Sequence, residues 1–491
     1  MKDKRGFLIV IPLLLMLLLG AGCLLYEVLL SLVNYKVTSG VFGSPFVGLK
    51  NYIHLFSMQQ TASQIGNSLL QTLLTVVSGL LIGLPVSLIL STIRCRPFKT
   101  AAAGAALLLA LVPDLIWVRL GQGVVGLIGT LFGDPQLHIV SYRLMFFASK
   151  IIPQSALCIF GGLCLNLTED QNGAAGALAA GLLPLMTVLM PDLRMNLLTA
   201  NPINLPVSDT LSYSLYRTGL MTAQYSLAGA TAVFGMLVSL LVGLLPALLI
   251  GLAASRKANA VKVDLPSITW KKEAMFTLIG SAATGLIVLI LCLAGGGLSL
   301  NGQVGQALFR TLLTSFVALI PAFLFCLVLL ACSGHCRSGI PFGLLALILS
   351  LLSVFSMSDY MFTRSLGLLN TLLPCAVGVL GHPAFIAVLL VLLLSRPASS
   401  RQLLLTAAGA ALIAAAVSAG DWFTPTIYLH SADKATLAMM SRRVSMTAEA
   451  GQGDFNAMTA GIFLLFALPG AALTMAGLGG TYLQSIRDPE C

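Results

Sequence analysis

The sequence predicts an all-α, polytopic membrane protein: about twelve transmembrane helices in two parallel six-helix repeats. Three observations predict it. Hydrophobic residues make up 57% of the chain and charged residues only 9%, where soluble domains carry about 25% charge. Apolar runs near 20 residues, long enough to cross a bilayer, recur from end to end. The chain also repeats itself. Gly126-Leu127-Ile128-Gly129-Thr130-Leu131 returns as Gly367-Leu368-Leu369-Asn370-Thr371-Leu372. Leu69-Leu70-Gln71-Thr72-Leu73-Leu74-Thr75 returns as Leu308-Phe309-Arg310-Thr311-Leu312-Leu313-Thr314. The offsets, 241 and 239 residues, are about half the chain. Ordered matches at one offset point to a tandem duplication, a common way of building transporters.

The twelve runs are 7–32, 67–93, 100–119, 144–167, 176–192, 226–254, 274–294, 310–332, 339–357, 369–395, 402–419 and 458–478. In lipid such runs must be helices, because an open sheet edge leaves backbone groups unpaired. The first is too long and leucine-rich for a cleaved signal and reads as a retained helix. Six runs precede a short basic loop at 256–273 and six follow it. The expected division is therefore 1–255, a cytoplasmic linker at 256–273, and 274–491. An even number per half makes the repeats parallel.

The net charge of +10 sits in loops. Lys2/Lys4/Arg5, Arg94/Arg96/Lys99 and Arg256/Lys257/Lys262/Lys271/Lys272 fall on one side, which the positive-inside rule makes cytoplasmic. Both termini are then inside, in a cell membrane. The outer side receives Lys36, Lys50, Arg194, Arg217, Lys434, Arg442 and Arg443. Nucleic-acid binding is not implied. Of ten cysteines, seven lie in or beside apolar runs, where Cys acts as a small hydrophobe. His335-Cys336 has no companion ligand, so neither a metal nor a cofactor is expected. No Gly-rich loop ends in Gly-Lys-Ser/Thr, so ATP is not bound by a P-loop, and no catalytic set suggests an enzyme.

Phe46-Val47-Gly48-Leu49-Lys50-Asn51-Tyr52 followed by Asn67-Ser68-Leu69-Leu70 resembles the start of the first permease subunit of carbohydrate ABC importers. Asn201-Pro202, Ser208-Asp209-Thr210-Leu211, Tyr216-Arg217-Thr218-Gly219-Leu220 and Gln224-Tyr225-Ser226 resemble its oligosaccharide-type branch. Asp421-Trp422-Phe423 with Tyr428-Leu429 resembles the aromatic outer segment of the partner permease. The resemblance implies a fused permease pair. It also implies a dimer of separate ATPase subunits, an extracytoplasmic solute-binding protein, and a sugar or oligosaccharide as solute.

The resemblance further implies cytoplasmic coupling loops of Glu-Ala-Ala…Gly pattern. The nearest match is Glu169-Asp170-Gln171-Asn172-Gly173-Ala174-Ala175, without the Glu-Ala-Ala itself. Gly126 to Asp209 spans 83 residues, but Gly367 to Asp433 only 66, so the second half is 17 shorter. Its coupling segment shrinks to 395–401, with Arg396 and Arg401 and no acid or glycine. Glu169, Asp170 and Gly173 are the expected main coupling residues, with Arg396 and Arg401 as lesser ones.

Asp114, Trp117, Arg119 and Lys150 are candidates for the solute pathway, because charges in apolar spans usually face an interior cavity. The alternative is interfacial anchoring or snorkelling. Tyr216, Arg217, Asp421, Trp422 and Phe423 are candidates for an outer gate or binding-protein dock, against a plain aromatic belt. Two other functions compete. A six-plus-six carrier driven by an ion gradient would need membrane carboxylates, of which the runs hold little beyond Asp114. A degenerate permease acting as scaffold or sensor would suit the shortened second coupling loop.

Overall fold

The computed structural model describes residues 22, 24–132, 138–169, 173–255, 270–293, 302–335, 340–394, 400–447 and 452–479. Among them the protein is all-helical and has no strand, only isolated bridges Val33–Phe46 and Lys36–Gly40. Seven helices are long and apolar enough to cross a bilayer. They lie in Thr61–Thr92, His138–Glu169, Tyr225–Ser255, Trp270–Leu293, Gly302–His335, Ser400–Gly420 and Gln452–Gly479. The chain is a multi-pass membrane protein.

The remaining runs differ from the straight spans expected. Three are bent pairs: Arg96–Leu111 with the helix from Asp114 (85°), Ile340–Leu352 with Met357–Ser365 (64°), and Leu373–Gly378 with Pro383–Leu394 (50°). Counting each bent pair as one span gives up to ten. The run at 176–192 becomes Ala174–Leu182 and a 3-10 turn, Leu183–Thr187. At 1.5 Å per residue this piece reaches only about 21 Å, short of the ~30 Å hydrocarbon core. Most of 7–32 lies outside the described residues; 24–32 is helical.

Proline chemistry explains two of the breaks. A residue before proline is driven from helical to extended backbone. Val112 before Pro113 has ψ 134°, and His382 before Pro383 has ψ 125°. Ser356 starts the third new helix, its hydroxyl accepting from the Asp359 N–H at 3.3 Å. Pro85, Pro153, Pro246, Pro321 and Pro469 stay inside their helices. A proline in an apolar run therefore does not by itself foretell a break.

The two parts of the chain interlock. Helix 61–92 packs on helix 138–169, and helix 302–335 on helix 400–420. Helix 270–293 lies on helix 452–479 but also on helix 96–111 of the other half. Gly280 stands so near Ala101 that an added Cβ would fall 2.1 Å from its carbonyl oxygen. Helix 225–255 crosses to helix 340–352, and the N-terminal helix at 24–32 packs against Met357 and Met361. Small residues at such contacts let backbones approach where lipid offers no hydrophobic drive. Alanines and leucines from helices 96–111, 302–335, 383–394, 400–420 and 452–479 share one apolar core.

A polar network joins helices 61–92 and 138–169 to residues 193–217. Gln71 Nε2 donates to Tyr142 Oη and Asn196 Oδ1, both at 3.0 Å. Tyr142 donates to Asn196 Oδ1 at 2.7 Å, and Asn196 Nδ2 donates to Thr210 Oγ1 at 2.8 Å. Gln64 Nε2 donates to Asp209 Oδ2 at 3.0 Å. Buried polar atoms need such partners, so this network ties 193–217 to helix 61–92.

Candidate functional site

The helix breaks converge on a cavity of about 530 Å³, within the usual range of small-molecule sites. Its walls come from 110–114, 146–157, 183–194, 350–368, 373–390 and 417–428, with Thr72 and Thr75 of helix 61–92 and Ser212. The six stretches fall in the apolar runs at 100–119, 144–167, 176–192, 339–357, 369–395 and 402–419 or just past their ends. Breaking helices there exposes backbone polar groups to a cavity rather than to lipid, the one place where membranes tolerate it.

Three carboxylates lie at or just before helix starts in its wall. Asp114 opens its helix directly after Pro113. Asp192 follows Pro191 and caps helix Leu193–Thr199, its Oδ1 accepting from the Arg194 N–H at 3.1 Å. Asp421 follows Gly420, and its Oδ1 accepts from the Phe423 N–H at 2.9 Å. Its Oδ2 accepts from the Thr424 hydroxyl. Acids at helix starts are favoured by the helix dipole.

Two cations knit the three acids together. Lys150 Nζ lies 3.9 Å from Asp114 Oδ1 and 3.6 Å from Asp192 Oδ2. Arg194 Nη1 lies 3.4 Å from Asp192 Oδ1, and its Nε lies 3.9 Å from Asp421 Oδ1. The charges alternate along Asp114, Lys150, Asp192, Arg194 and Asp421, and the Arg194–Asp421 link joins the halves. Arg194 also sits 4.9 Å over the Phe423 ring, a cation–π contact. His382 faces this cluster from the second half, and Asp359 lines the same cavity. An aromatic cluster, termed the lid, forms part of its wall: Phe355 against Phe423, Trp422 against Phe423, and Tyr360 stacked on Tyr428.

Of the predicted pathway residues, Asp114 and Lys150 meet in the cavity. Trp117 does not line it; the 85° bend turns Trp117 into the apolar core, 4% exposed. Arg119 is half-buried on the side of Cys292 in helix 270–293. Asp421, Trp422 and Phe423 form cavity wall. Tyr216 packs among the lid aromatics. Arg217 is 2.8 Å from Asp209 Oδ2. Burial holds the Asp209 carboxyl above its usual range, although Gln64 and Arg217 work against that.

Gly173 is buried, starting helix Ala174–Leu182. Arg401 is exposed at the start of helix 400–420. Asp170, Arg396 and the Glu169 side chain lie outside the described residues. Sequence reasoning missed Asp192, Arg194, Asp359 and His382. The available signal was Pro191-Asp192 and Gly420-Asp421, a breaker and an acid closing the fifth run of each half. No protein-family model matches the chain, and no curated protein or solved structure is similar to it.

Proposed function

We propose that this chain is the membrane subunit of a transporter that passes a polar solute through the central cavity by alternating access. The observation that carries the reading is the cavity itself. Stretches from both halves of the chain wall it, the three bent helix pairs turn there, and Arg194 links one half to the other. Discontinuous helices meeting between two halves are how transporters commonly expose polar backbone to a solute. Rocking of the halves would part Arg194 from Asp421 and open the aromatic lid.

The resemblance in the first half and in 421–429 makes the energy source a pair of separate ATPase subunits, and an outer binding protein the source of solute. Sugar is the substrate class that resemblance favours. Trp422 and Phe423, in place of Trp117, would then supply the ring faces, with hydroxyls meeting Asp114, Lys150 and Arg194. Glu169, Asp170 and Gly173 are the proposed main coupling surface, with Arg396 and Arg401 secondary. Purification from the native membrane in mild detergent tests this. A co-purifying ATPase and binding protein, with ligand-stimulated hydrolysis, is the expected result. The ATPase without stimulation would leave the scaffold reading.

A second reading gains from one observation. The cavity holds Asp192, Asp421 and Asp359 besides Asp114, carboxylates that an ion-coupled carrier needs. Uptake into vesicles driven by an ion gradient without nucleotide would favour the carrier and sink the importer.

A further inference from the structure

We propose that Glu27 is a proton-binding site that pins the N-terminal helix to the cavity wall and weakens that hold on protonation. Glu27 is 0% exposed. Its Oε2 accepts from the Ser358 N–H at 2.7 Å, across 331 residues of sequence. The Met357 N–H and the Ser358 hydroxyl also stand beside the carboxylate, while Oε1, also buried, accepts no hydrogen bond among the described residues. Burial makes such a carboxylate costly to keep charged. The role is independent of what drives transport.

The bond reaches the start of helix Met357–Ser365. Ionised Glu27 gains there from the helix dipole and from a charge-assisted bond. Protonation leaves a carbonyl oxygen that still accepts from the Ser358 N–H, but it forfeits the charge assistance and the dipole gain while removing the burial cost. The titratable groups around it are Tyr26 and Tyr35 from its own segment, Tyr52 hydrogen-bonded to Ser31, and Asp359 from the pinned helix. Helix 225–255 brings Gly229 against the Glu27 carbonyl, with Tyr225 set against Tyr35 further out. Asp359 adds like charge, which favours the neutral acid. A cationic partner for Glu27 is absent among these groups.

The pinned helix is also cavity wall. Ser353, Val354 and Phe355 before it, and Asp359, Phe362 and Thr363 on it, line the cavity. Phe355 holds Phe423 of the lid. Weakening the hold on the start of helix 357–365 therefore weakens one side of the lid. Proton uptake at Glu27 should loosen the seal without touching the solute.

The test uses nitroxides at Leu25→Cys and Leu366→Cys, exposed positions on the two pinned helices. The native cysteines are replaced by serine or alanine. Their separation is read by double electron–electron resonance from pH 8 to pH 5 in lipid nanodiscs. The expected result is a second, longer distance population that grows as pH falls. Glu27→Gln, isosteric and always neutral, should show that population at every pH. Infrared difference spectra on acidification should show a buried carboxylic-acid carbonyl band that Glu27→Gln lacks. A distance distribution independent of pH in the otherwise native chain overturns the proposal. So does a Glu27→Gln curve that follows it, or a carboxyl band that survives the substitution.

Discussion

In the first half, the Thr210 hydroxyl accepts from the Tyr213 N–H, and the Leu211 N–H donates to Ser68 Oγ of helix 61–92 at 3.0 Å. In the second half, the Thr436 hydroxyl accepts from the Met439 N–H, and the Leu437 N–H donates to Thr311 Oγ1 of helix 302–335 at 3.0 Å. One device, a Thr-Leu helix start hung from a hydroxyl on a long helix, serves both outer segments. What surrounds it differs. Asp209 is buried in a polar network with Gln64 and Arg217, whereas Asp433 is exposed in a 3-10 turn. The second half fills the equivalent outer region with Trp422, Phe423 and Tyr428. A shared frame can thus be held by directional hydrogen bonds on one side and by ring packing on the other. The two should fail differently.

The largest effect belongs to the residue that spans both. Arg194→Ala removes the cation beside Asp421 and leaves Asp192 to Lys150, and removing one partner of a buried pair costs about 3–5 kcal/mol. Thermal unfolding in detergent should show it, and Arg194→Lys should recover only part. A cost under about 1 kcal/mol would mean the halves are held elsewhere.

Next comes the polar side. Asn196→Ala leaves Gln71, Tyr142 and Thr210 short of partners, a loss of about 2–3 kcal/mol. Tyr360→Leu keeps the apolar volume but forfeits the ring stack on Tyr428, about 0.5–1.5 kcal/mol. If Tyr360→Leu proves the more damaging, aromatic packing rather than hydrogen bonding holds the frame.

The smallest effect depends on pH. Burial raises the Asp209 carboxyl, so ionising it costs the folded state. That cost is absent below the ordinary carboxylate range and grows as pH rises through the raised folded value. Asp209→Asn removes the cost but also the charge on Arg217's partner. The variant's melting temperature relative to the native chain should climb across that window and then level. A difference that falls with rising pH would show the Arg217 pair dominating burial.

Much of the architecture was legible because bilayer length and hydropathy are strong constraints. The long helices at 61–92, 225–255 and 452–479 fall where the apolar runs put them. The bends were not legible. Pro153 and Pro321 stay in helices while the chain leaves the helix before Pro113 and Pro383, and the cavity does not separate the cases, since Pro153 lines it too. The same blindness hid half the site. Asp114 and Lys150 stood out as charges inside apolar runs. Asp192 closed the fifth run and Arg194 lay among the outer cations, so neither stood out as a site residue. Trp117, three residues past Asp114, lies outside the cavity, since the bend and not the spacing decides which way it faces.

The exchange of helices between halves also constrains how the protein can be made. The bond from Glu27 to Ser358 closes only after 331 further residues have been synthesised. At about 5–20 residues per second, that is roughly 15–65 s. Through that interval the nascent N-terminal helix must lodge a carboxylate in the membrane without the amide that will receive it. Helix 270–293 faces the opposite order, finding helix 96–111 already waiting and helix 452–479 still to come. Contacts between the halves therefore close late, and helices 400–420 and 452–479 are still to come when the Glu27–Ser358 bond forms. Splitting it at 256–273 into separately expressed halves should leave each half without a helix that completes its fold.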